Sequence, residues 1–169
     1  MRRKDREVTD LNQIFDIVSR CSVAHVGMTD HGKPYVVALN FGYERKGDSL
    51  ILYFHSAYEG RKMEILKENP SVYVQMNCVD EFISGSHENP CAFCWRYDSV
   101  MGAGVVEFLE TPEEKAHALN CMIRHLGKTD IKILRALSFR RLELQMGLFV
   151  CTALPETGIC PIVNLIGCL

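Results

Sequence analysis

His55, Ser56 and Ala57 end an apolar run, and three residues later Gly60 precedes two adjacent cations, Arg61 and Lys62. These residue types at this spacing suit an anion. A helix N-terminus supplies backbone donors and a favourable dipole, and small residues before it let a ligand approach the backbone. Arginine adds a bidentate contact to a phosphate, and lysine adds a point charge. Cations in a first helical turn oppose the dipole, so two together ask for a compensating anion. The same residues also fit a surface helix that merely begins with basic side chains. His55 has three readings: a strand-end imidazole satisfied by backbone, an acid or base, or an axial metal ligand.

A second group is Cys91-Ala92-Phe93-Cys94 with His87 nearby. A structural zinc site normally adds a second cysteine pair at similar spacing, and here only Cys78 is on hand to complete a set. A thioredoxin-type dithiol would start a helix inside a βαβ unit, which this region lacks. We therefore expect loop cysteines and no metal site. The chain has no Gly-x-Ser-x-Gly elbow, no phosphate-binding Walker loop, no Gly-x-Gly-x-x-Gly turn and no paired carboxylates on one helix face. An enzyme with so few catalytic side chains relies on a cofactor for its chemistry.

The elements that would position these groups are legible from periodicity. Leu11, Ile14, Phe15 and Val18 recur at helical spacing behind Thr9 or Asp10, which predicts a helix over 10–20. "CSVAHVGM", "YVVALNFGYE" and "LILYFH" are strands, joined by the turns "TDHGKP" and "RKGDS" into an antiparallel meander. A helix over 59–67 stops at Asn69-Pro70. "SVYVQMNCV" is a fourth strand, residues 80–96 are irregular, and "YDSVMGAGVVEFLE" is a fifth strand. Thr111-Pro112-Glu113-Glu114 starts a helix over 112–126 with a capping box. "FRRLELQMGLFVCTAL" is a sixth strand, and the apolar, Pro- and Gly-interrupted tail after it has no assigned role. Six mostly antiparallel strands with short helices are α+β, and closing them into a barrel would remove the sheet edges.

The totals set wider bounds. A chain of 169 residues, 47% hydrophobic and 24% charged, suits one folded domain over 1–169. Nineteen basic and 21 acidic residues give a net charge of −2, which leaves no footprint for nucleic acid. No apolar run reaches the ~18 residues of a membrane span, and no secretory signal is visible, so no membrane partner is expected. The eight cysteines then read as reduced thiols of a cytoplasmic protein.

Three segments carry a resemblance. "GKPYVVALNFGYE", "LILYFHSAYEGRKMEILKENPSVYVQM" and "YDSVMGAGVVEFLETPEEKAHAL", in this order, resemble the pyridoxamine 5′-phosphate oxidase-like flavoproteins, in the branch related to nitroimidazole-resistance proteins. The similarity spans roughly residues 5–145 and is most specific around Tyr53–Lys62. It implies a mainly β, six-stranded antiparallel split β-barrel with short flanking helices, and a homodimer with FMN at the subunit interface. It implies that Val37, Ala38, Leu39 and Asn40 run along the flavin ring, and that His55, Ser56, Ala57, Arg61 and Lys62 hold the ribityl and phosphate groups. Tyr97, Asp98, Ser99 and Val100, with part of the preceding loop, would reach in from the partner subunit. The implied activity is FMN-dependent reduction of a small planar acceptor such as a nitroaromatic, with His55 as the candidate catalytic residue. A haem- or flavin-binding module without turnover is the alternative. The arginine-rich substrate motif of true pyridoxamine phosphate oxidases is missing, which argues against vitamin B6 oxidation, and residues 149–169 form an atypical extension.

Overall fold

The computed structural model describes residues 7–89, 92–127, 147–153 and 160–165. Helix α1 (Leu11–Arg20) starts at Asp10, whose carboxylate accepts from the Asn12 N–H at 3.1 Å, and buries Ile14, Ile17 and Val18. Strands β1 (Ala24–Asp30) and β2 (Lys33–Leu39) form a hairpin with a two-residue turn at His31-Gly32. Strands β3 (Phe41–Lys46) and β4 (Ser49–Ser56) form a second, with Gly47-Asp48 between them. Helix α2 (Arg61–Glu68) follows, then the long strands β5 (Ser71–Ile83) and β6 (Cys94–Phe108), helix α3 (Pro112–Gly127), β7 (Gly147–Ala153) and β8 (Cys160–Leu165).

The strands pair in the order β2-β1-β5-β6-β7-β4-β3, with β8 also on β6, and every pairing is antiparallel. The α+β expectation therefore holds, while the described strands number eight rather than six. The run "YVVALNFGYE" breaks at Asn40, an exposed residue whose amide donates to the Ser22 carbonyl at 3.2 Å, so one expected strand is two. The other addition is β8, in the tail to which the sequence assigned no element. The stretch 80–96, expected to be irregular, is paired at its two ends: Glu81, Phe82 and Ile83 face Arg96, Trp95 and Cys94 across a hairpin arm, and the described residues between them form no strand. Strands β2 and β3 end the pairing path and are not paired with each other, so the described strands do not close into a barrel.

Two cores flank β4. Leu50, Leu52 and Phe54 face the main core with α1, α2, Val26, Val74, Met76 and Val100. Ile51 and Tyr53 face a smaller one with Ala116, Ala118, Cys121 and Met122 of α3. Burial on both faces explains why "LILYF" is continuously apolar rather than alternating. Among the described residues no helix is long and apolar enough to cross a membrane, which leaves β-strand spans unaddressed.

Candidate functional site

The head of α2 lies against the β1–β2 hairpin. Arg61 donates from Nε (2.9 Å) and Nη2 (2.7 Å) to one oxygen of Asp30, and its guanidinium sits 4.7 Å from the centre of the Tyr35 ring. Asp30 is held below the usual carboxylate range by the His31 hydrogen bond first and by Arg61 second. His31 is raised in turn, by Asp30 and then by Glu68. Helix α2 begins after Gly60, whose φ of 117° is a backbone state that side chains disfavour, and no side chain caps its first turn. Lys62 is half-buried and has no ion-pair partner among the described residues. The anion that two adjacent cations call for is thus half supplied from within the chain, because Asp30 already answers Arg61.

His55 continues the row of Ile51 and Tyr53 on β4 and is exposed, while Ser56 turns inward and donates from Oγ to the Ala57 carbonyl at 2.7 Å. On β2 the register divides the expected cofactor residues. Val37 and Leu39 pack against the core, and Ala38 and Asn40 are exposed. Strand β2 also ends the sheet, so one of its backbone edges is unpaired among the described strands. Arg61, through Asp30 and Tyr35, joins this edge to the head of α2.

Tyr97, Ser99 and Val100 are not part of that grouping, since β6 is separated from β2 by β1 and β5. Val100 belongs to the main core and Ser99 is 1% exposed. Both side chains are buried, Val100 by core packing on its face of the sheet, and the backbone of this stretch is paired to β5 on one edge and β8 on the other. Tyr97 is half-buried, and Asp98 binds Arg20 at 2.6 Å.

The sequence reading passed over a third cluster, on the face of β3 and β4 covered by α3. His117 Nε2 lies 2.8 Å from Glu44 Oε2 and 3.6 Å from Cys121 Sγ, and the Tyr53 hydroxyl donates to Glu44 Oε1. Burial would raise the Glu44 carboxyl, but the bonds from Tyr53 and His117 outweigh it and hold the group low. The available signal was His117 and Cys121 at i and i+4, which share one helix face. Glu44 and Cys121 also line an open cavity of about 570 Å³ with Tyr43, Arg45 and Arg124. Of the cysteine loop, Cys94 is a free, half-buried thiol and Cys91 lies outside the described residues.

Comparison with known proteins adds the lineage. A family profile described as pyridoxamine 5′-phosphate oxidase matches residues 10–145. A solved structure of a candidate 5-nitroimidazole antibiotic resistance protein from Bacteroides thetaiotaomicron is 32% identical, with a TM-score of 0.66, covering 86% of this chain and 80% of that one. A FAD- and haem-binding protein from Mycobacterium smegmatis shares the fold at 20% identity and a TM-score of 0.67, over 89% of this chain and 74% of that one. A Bacillus subtilis relative, protease synthase and sporulation protein PAI 2, is 27% identical over 123 residues, 72% of this chain. The matched region is 59% of that relative's length. These similarities bear out the split-barrel reading of the antiparallel α+β sheet.

Proposed function

Because the chain belongs to the pyridoxamine 5′-phosphate oxidase family across residues 10–145, we propose that it is an FMN-binding homodimeric oxidoreductase acting on a small planar acceptor such as a nitroaromatic. The observation that carries this reading is the juxtaposition of the uncapped, doubly basic head of α2 with the unpaired edge of β2, made by Arg61 on Asp30 and Tyr35. A planar ring against β2 would meet Ala38, Asn40 and the free backbone edge. The phosphate would meet Lys62, Arg61 and the first-turn N–H groups, with open space at Gly60 beside the exposed Ala57, while Ser56 is buried with its hydroxyl bonded to the Ala57 carbonyl. These residues fit a flavin mononucleotide. Bound flavin supplies the electron transfer, and the chain's task is to hold and orient it.

A ring at a sheet edge has one side uncovered in a single chain, and a second subunit is the natural cover. Tyr97 is the accessible side chain of the segment assigned to that role. His55, exposed beside the phosphate end, is the candidate to orient or protonate an acceptor. The FAD- and haem-binding protein, as it is named, supports this class of ligand, and the name of the resistance protein supports a nitro-bearing acceptor. The nitro substrate, the choice of FMN over FAD and a cytoplasmic location are parts of the proposal.

Binding of FMN and of riboflavin, followed by flavin fluorescence, tests the phosphate assignment. A charge-assisted contact is worth ~1.5–3 kcal/mol, so Lys62→Ala should weaken FMN about 10- to 100-fold and leave riboflavin unchanged. Equal losses for both ligands would remove Lys62 from the phosphate site. His55, which has no side-chain partner among the described residues, favours one further reading, a haem carrier without turnover. A Soret band that disappears in His55→Ala would establish it.

A further inference from the structure

Glu44, His117 and Cys121 place one ligand atom each within 4.8 Å of one another, on two elements already packed together. We propose that this triad binds a divalent transition ion of the zinc class, separately from the flavin site. The donor set is one carboxylate oxygen, one imidazole nitrogen and one sulfur, which suits a borderline-soft ion better than magnesium or calcium. Zinc bonds of ~2.0 Å to nitrogen or oxygen and ~2.3 Å to sulfur set tetrahedral ligand separations of roughly 3.3–3.6 Å. The 3.6 Å from Cys121 Sγ to His117 Nε2 already meets that spacing. The 2.8 Å from His117 Nε2 to Glu44 Oε2 needs to open by about half an ångström, within reach of side-chain rotation.

The surroundings resemble the support that metal ligands receive. The Tyr53 hydroxyl donates to Glu44 Oε1, the carboxylate oxygen that is not bonded to His117. The Tyr53 ring meets the His117 ring edge-on at 5.6 Å and fixes its plane. Cys121 is buried, Glu44 is half-buried and His117 is exposed, so the ion has a solvent entry path and a fixed inner ligand. Three protein ligands leave a fourth position, and Arg45 and Arg124 in the adjoining cavity favour water or a small anion there. Binding moves the Cys121 thiol proton to solvent. The proton that His117 Nε2 gives to Glu44 leaves as well, to solvent from an imidazolium or to Nδ1 by tautomer exchange in a neutral ring. Two metal bonds thereby replace the hydrogen bond between Glu44 and His117. The plain alternative is that the same side chains only clamp α3 to β3 and β4.

Zinc titrated into the full chain against a chromogenic chelator separates the two. The site predicts about one zinc per chain, and cobalt in its place should give a thiolate-to-metal charge-transfer band. Tyr53→Phe should weaken zinc about 10- to 100-fold, as loss of an outer partner does. Cys121→Ser and His117→Ala should each weaken it further and abolish or alter the cobalt band, while FMN affinity stays at the wild-type value. Zinc held at wild-type affinity in either variant would overturn the site, as would a wild-type chain that cannot compete with the chelator. If His117→Ala fails to fold, the cobalt spectrum of the wild-type chain still decides: a spectrum without the thiolate band rejects Cys121 as a ligand.

Discussion

Arg61 donates from two nitrogens to a single oxygen of Asp30, so that carboxylate competes with any anion for the guanidinium. Asp30→Asn should therefore strengthen FMN binding several-fold at low salt, with the gain fading as salt screens the exposed charges. Weaker binding in that variant would mean that Asp30 positions Arg61 rather than competing for it. The pair also sets a pH window. His31 is raised, so its contribution is present below the ordinary ~6.5 and is lost as pH rises through the folded value. Asp30 is lowered, so its contribution is present above ~3.9 and is lost as pH falls through the folded value. By NMR, the His31 titration in Asp30→Asn should move down toward an ordinary histidine; an unmoved midpoint would contradict the pairing. The cations at 61 and 62 were legible in the sequence because they are adjacent. Their partner was not, since Asp30 is 31 positions away and only the hairpin brings it back. The Glu44–His117–Cys121 cluster was hidden for the same reason, with 73 positions between the histidine and the carboxylate.

Helix α3 was readable almost to the residue because its start is encoded locally. Thr111 Oγ accepts from the Glu114 N–H at 3.3 Å, and Glu114 accepts from the Thr111 N–H at 3.1 Å. Thr111→Ala should lower stability by about 1 kcal/mol in urea unfolding, and an unchanged midpoint would deny the cap a role. What α3 rests on was less readable. Gly42 of β3 lies under the helix so closely that a Cβ there would meet the Met122 backbone nitrogen and come within 2.6 Å of the Cys121 carbonyl carbon. These are backbone atoms, which cannot swing aside. Gly42→Ala should cost about 1–3 kcal/mol or more and loosen α3, seen as a lower melting midpoint and faster amide exchange in α3. The strand boundaries at Asn40 and in the β5–β6 arm escaped periodicity because pairing partners, not local composition, decide them. Glu81 and Arg96 look like loop residues, yet they pair across the arm and form an ion pair at 3.0 Å.

The outward face of the sheet bears on assembly. Val36, Gly27, Tyr73 and Ala103 form one cross-strand row, with Val36 61% and Tyr73 50% exposed. At the tip of the arm, Phe82, Phe93 and Trp95 cluster with ring centres 5.1 and 6.2 Å apart and are all exposed. So much exposed apolar surface fits the proposed dimer. Light scattering should give twice the chain mass, and Tyr73→Glu should lower both dimer content and FMN affinity; a monomer with full FMN affinity would detach the cofactor from assembly. The central claim is that the head of α2 and the edge of β2 hold a flavin. The most direct measurement is the visible absorption spectrum of the freshly purified protein, with mass identification of whatever ligand it releases. The account predicts a flavin spectrum, intrinsic or gained on adding FMN, and FMN in the released fraction. A colourless protein that gains neither a flavin spectrum nor thermal stabilisation from FMN would contradict it.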